Sequence, residues 1–140
     1  MKKLLNQATL LVLLTITCIF SCKKSSATDT SSQAITVMYA VTWSSPLLQN
    51  TSNEITYVNS TGNGVMDNNL SGTSWTKSVT ITDASSVPII SAATGILLQQ
   101  AGTGELKIYI NGILKSEATG ATVNTGNGYA LGLQAHYTNQ

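Results

Sequence analysis

The chain has 140 residues and a mass of 14.7 kDa, enough for one domain and not comfortably for two. Only 9% of it is charged, the formal net charge is +1 and arginine is absent, which excludes the basic patch of a nucleic-acid binder. Serine and threonine supply 36 residues and glycine 11, and there is one histidine, so the composition favours strands and turns and lacks the parts of most enzyme classes.

Residues 1–21 read as a bacterial export signal. Lys2 and Lys3 form its charged start, and Leu10 to Phe20 form a short apolar run. Eleven helical residues span about half of a ~30 Å hydrocarbon core, so a transmembrane helix is the weaker reading. The run ends in Ile19-Phe20-Ser21-Cys22. An aliphatic residue three before a cysteine and a small residue just before it resemble a lipobox, in which the cysteine carries a diacylglyceryl group and becomes the new N-terminus. Cys22 is therefore the expected lipidation site. The alternative is an ordinary signal peptide cut near Ala27. The other cysteine, Cys18, lies inside the apolar run, so a disulfide between the two would staple nothing.

Residues 22–34 read as the lipidated cysteine and a polar, aperiodic tether. Its eleven residues from Lys23 to Gln33 reach at most ~35–40 Å. Lys23 and Lys24 either meet an anionic leaflet or are simply solvated.

Residues 35–140 read as one all-β domain, a small antiparallel β-sandwich of Ig-like type with about seven strands. Ile35, Val37, Tyr39, Val41 and Trp43 alternate with Thr36, Met38, Ala40 and Thr42, the period of a half-buried strand. Residues 55–58 form a second strand, and 60–78 is expected to be mostly loop before Trp75. Trp75, Lys77, Val79 and Ile81 then alternate with polar β-branched residues. Val87 to Ser91 follows, with Pro88 marking a strand start or a sheet edge, and 96–99 resumes after an expected break at Gly95. Leu106, Ile108 and Ile110 lead into Asn111-Gly112, a strong hairpin signal. A strict two-residue hairpin sets Ile110 against Ile113 but Ile108 against Lys115, a mismatch that leaves a longer loop open. Tyr129, Leu131, Leu133, Ala135 and Tyr137 form a last alternating run, before a C-terminus that looks frayed. Trp43, Tyr57, Trp75 and Tyr129 are the expected core anchors, with Trp43 and Trp75 the candidates for an interaction role.

Chemistry is sparse. His136 has no cysteine or second histidine with which to share a metal, and no serine sits in a Gly-x-Ser-x-Gly elbow. The six acids are scattered singly, and Asp67-Asn68-Asn69 lacks the spaced acids of an EF-hand. No catalytic residue, metal or cofactor is expected, and the chain reads as a non-enzyme.

Three stretches together resemble a known family. They are Ile55-Thr-Tyr57-Val-Asn59-Ser-Thr-Gly62, Ser74-Trp75-Thr-Lys77-Ser-Val79, and Gly104-Glu-Leu106-Lys-Ile108-Tyr-Ile110-Asn-Gly112 with the strand that follows and Gly120. Their order and spacing are similar to the soluble domain of the MmpS family. The match covers about 100 residues, and Ser74 stands where the family often has proline. Family members are usually held by a transmembrane helix, which a lipid anchor would replace here as a tether only. The resemblance implies a non-enzymatic accessory protein beside an RND-type (MmpL-like) exporter, and the lipobox-like signal adds the expectation that it is exported and membrane-anchored through Cys22 on the periplasmic side. It carries over no catalytic residue. The competing expectation is an envelope structural or surface glycan- or ligand-binding lipoprotein.

Overall fold

The computed structural model describes residues 33–139. The expectations for Cys22, the export signal and most of the tether lie outside these residues. The described part is a small antiparallel β-sandwich with ten strand segments rather than about seven: β1 (Ile35–Trp43), β2 (Glu54–Val58), β3 (Gly64–Asp67), β4 (Ser74–Ile81), β5 (Ile89–Leu98), β6 (Thr103–Ile110), β7 (Ile113–Ala121), β8 (Val123–Asn124), β9 (Tyr129–Leu131) and β10 (Gln134–Thr138). The only helical piece among them is a three-residue 3-10 turn at Ala84–Ser86. No helix among the described residues is long and apolar enough to cross a membrane.

The first sheet has the order β4-β1-β6-β7, and the second β3-β2-β5-β9-β8 with β10 also on β5. β9 and β10 keep one register along β5, with Leu131 opposite Ile96 and Gln134 opposite Ala93. Between them Leu133 N–H bonds to the Thr94 hydroxyl at 2.9 Å instead of to a ladder carbonyl, and Thr94 N–H still donates to Leu133 C=O at 2.9 Å. The last alternating run is thus one strand interrupted by a side-chain substitute for a backbone bond.

The core lies between the sheets. Strand alternation sends Val37, Tyr39 and Val41 of β1, Leu106 and Ile108 of β6, and Ile90, Ile96 and Leu98 of β5 into it, all fully buried. Gly104 and Gly120 pair across β6 and β7 on this inner face. A Cβ at Gly104 would collide with Leu131, and one at Gly120 would stand 3.0 Å from Leu133. The missing side chains let the second sheet close on the first.

Several expectations are corrected. Residues 60–78 are not mostly loop: β3 forms a hairpin with β2, Val58 facing Gly64 and Ile55 facing Asp67. β5 runs through Gly95 without a break, since Gly95 pairs with Glu54. Pro88 does precede a strand, but β5 is central to its sheet. The Asn111-Gly112 turn has two residues, with φ of 51° and 78°, both left-handed as a type I′ turn requires. The Ile108–Lys115 mismatch is removed by a bulge rather than by a longer loop. Tyr109 faces Leu114 and Ile108 faces Ser116, leaving Lys115 as the extra residue. The C-terminus is tied down: Asn139 donates its backbone N–H to Pro88 C=O at 2.9 Å and its amide to Ala84 C=O at 2.6 Å.

Candidate functional site

The two tryptophans share an alternation but not an environment. Trp43 ends β1, a central strand, and is 4% exposed. Its indole N–H donates to Gly72 C=O at 3.1 Å, and its backbone N–H to Thr73 C=O at 3.0 Å. Trp75 lies on β4, a sheet edge, and is half-buried. Its indole N–H donates to Asp67 Oδ2 at 3.1 Å, linking the edge of one sheet to β3, the edge of the other. Its ring packs on Tyr57 with centroids 5.5 Å apart, and Tyr57 packs on Tyr39 at the same separation. Tyr39 donates its hydroxyl to Val58 C=O at 2.8 Å, and burial pushes its phenol well above the ordinary value. Tyr57 is buried as expected, whereas Tyr129 is half-buried near the outer β8.

Trp43, Thr42 and Ser44 border a shallow depression of about 570 Å³ together with Thr103, Gly104, Glu105, Thr119 and Gly120. Its outer wall is a row of paired residues, Thr42 opposite Glu105 and Glu105 opposite Thr119. Glu105 accepts from Lys107 Nζ at 2.8 Å, and this ammonium holds its carboxyl below the ordinary value while the carboxylate raises Lys107. The pair is solvated, so it orients two side chains and adds little stability. Around it the outer face of the first sheet is hydroxyl-rich, with Thr36 and Thr42 on β1 and Ser74, Thr76, Ser78 and Thr80 on β4. A smaller depression of about 280 Å³ opens between Pro46, Leu47, Gln49 and residues 70–73.

The edges of the first sheet are guarded. Lys77 of β4 turns inward and holds its ammonium 5.8 Å from the centre of the Tyr57 ring. On β7 the bulged Lys115 stands 5.8 Å from the Tyr137 ring of β10. Inward lysines and bulges are devices that discourage pairing with a further strand.

The structure therefore brings Trp43, and not Trp75, to the larger depression. The sequence reading gave no site role to Glu105 or Thr119, and it named Gly104 and Gly120 only as parts of a resemblance, not as a pair. Only the cross-strand register joins them, and nothing in their local patterns marks that register. His136 is exposed on β10. Among the described residues, no three histidine, cysteine, aspartate or glutamate side chains gather in a way that could hold a metal ion.

No protein-family model and no curated protein matches the chain.

Proposed function

We propose that this protein is a lipid-anchored, non-enzymatic accessory protein of the bacterial envelope. It docks on a membrane partner through the outer face of its first sheet. The partner that the resemblance to the MmpS family implies is an RND-type exporter. The observation that carries the reading is the polarity of the sandwich. The chain enters at Ile35, while the depression around Trp43 and Glu105 sits at the other end of the same nine-residue strand, ~26 Å away. An anchor at Cys22 would hold one end and leave the depression and the hydroxyl-rich face presented outward. Guarded edges favour this face over strand addition as the docking mode.

A second reading, a surface lipoprotein that binds a glycan or another small ligand, is favoured by the size of the depression, which falls within the ~300–1,000 Å³ usual for ligand sites. The two readings separate by experiment. Cys22→Ala is expected to move the protein from the membrane to the soluble fraction, because stable anchoring needs the acyl chains. Deleting residues 25–33 is expected to leave the melting temperature unchanged and to reduce co-purification with the exporter and export of its cargo. Thr119→Arg should do the same from the docking face. Unchanged partners in both variants would end the accessory reading, and hydrolytic or transferase activity in the purified protein would move it to another class.

A further inference from the structure

The β6–β7 turn lies beside the point where the chain enters the sandwich. Asn111 donates its N–H to Thr36 C=O at 2.8 Å, and its side-chain oxygen accepts from Thr36 N–H at 2.9 Å. The turn is thereby fixed against the start of β1. The two residues after it are apolar and open: Ile113 is 61% exposed and Leu114 43%. Strand alternation points them to opposite faces of β7, so neither can be sheltered by the sheet without exposing the other. Ile89, 55% exposed, begins β5 at the same end, because the opposite end of β5 meets the region just beyond Trp43: Gln99 N–H donates to Pro46 C=O at 2.9 Å. Three of the five exposed large apolar side chains among the described residues thus crowd the end of the domain that receives the tether. Lys115, next in the chain, puts an ammonium at this end as well.

We infer that this end, led by the Ile113–Leu114 tip and Ile89, rests on a phospholipid surface and orients the domain upon it. Apolar tips that enter the headgroup boundary beside an amine that meets anionic headgroups are the chemistry of an interfacial contact. The tether length agrees: the residues between Cys22 and Ile35 allow this end to reach the bilayer and do not force it there. The inference rests on the lipid-anchor reading and adds an orientation to it.

The test uses the full chain, processed and purified from membranes in detergent and reconstituted into phosphatidylethanolamine–phosphatidylglycerol vesicles. An environment-sensitive fluorophore is attached at Leu114→Cys, or at Thr119→Cys farther along the same strand, and quenched by brominated lipid. Flotation with the vesicles reads the anchor, and quenching reads the tip. The expected result is co-flotation of both, with several-fold stronger quenching and a blue shift at position 114 alone. Ile113→Ser in the Leu114→Cys chain should reduce that quenching several-fold without lowering the flotation. Co-flotation with equal, weak quenching at both positions would overturn the inference and leave the anchor standing. Failure to float would refute the anchor reading, and this inference with it. A blue shift at 114 that grows with protein concentration in the absence of vesicles would overturn it in favour of contact between two copies.

Discussion

Trp43 and Trp75 occupy the same kind of position in the same kind of pattern, an inward-facing aromatic in an alternating strand, and meet opposite fates. β1 lies between β4 and β6, so Trp43 is hydrogen-bonded to Thr73, just ahead of β4, on one side and faces Gly104 of β6 on the other, with its ring in the core between the sheets. β4 has a neighbour on one side only, so Trp75 closes the margin of the sandwich and keeps part of its ring in water. Alternation decides which face a residue takes, and position in the sheet decides how much of it is buried. The central tryptophan packs, and the edge tryptophan latches one sheet to the other through Asp67.

Truncation should separate the two most clearly. Trp43→Ala is expected to cost about 3–5 kcal/mol, as removal of a fully buried large aromatic does. Trp75→Ala should cost less, roughly 1.5–3 kcal/mol, because part of that ring is already solvated. Urea denaturation of the two variants side by side gives the comparison. Equal losses would mean that the latch matters as much as the centre.

Tyr39→Phe probes the junction between the two regions, since Tyr39 sits on central β1 and begins the ring contacts that reach Trp75. It leaves the buried Val58 carbonyl without its donor, at about 1–3 kcal/mol. It should also change the alkaline behaviour. The folded phenol holds its proton above the value of 10.0 at which the unfolded chain releases it. The tyrosine's contribution is therefore fully present below pH 10 and declines as pH rises beyond it. Thermal melts at pH 8 and pH 11 should show a smaller alkaline loss in Tyr39→Phe than in the wild type.

The smallest effect is expected at Asp67→Ala, which removes the acceptor for the Trp75 indole and for the exposed Asn69 N–H. The indole is part-exposed and can turn to water, so a loss of about 0.5–1.5 kcal/mol is expected, with a red-shifted tryptophan emission as the second readout. A loss as large as that of Trp75→Ala would mean that the two Asp67 hydrogen bonds, to the indole and to Asn69, matter as much as the ring.

Most of the strand inventory was legible because period-2 alternation is a local property. β1 is read at its observed limits, and β4, β6 and the Asn111-Gly112 turn follow from residue types alone. The errors share one cause. β3 has only four residues and a weak pattern, and it exists because β2 offers it a ladder. Gly95 looks like a break, yet its neighbours on β2 and β9 carry the strand through. The Lys115 bulge is needed because Ile108 and Ala118 must both face the core, a demand made by the second sheet and invisible in the hairpin itself. The same holds for the depression. Trp43 is conspicuous in the chain, but Glu105, Thr119, Gly104 and Gly120 are ordinary residues until register sets them in two adjacent rows, Trp43–Gly104–Gly120 and Thr42–Glu105–Thr119.

Residue types and their spacing, acting over a few bonds, determined that this chain makes antiparallel strands, which residues face inward, and where its tightest turn falls. Only the tertiary structure decided which strands are central and which are edges. It also decided which tryptophan is sealed and which end of the sandwich carries exposed apolar residues. Those outcomes depend on contacts between residues dozens of positions apart, and a local pattern holds no record of its distant partner.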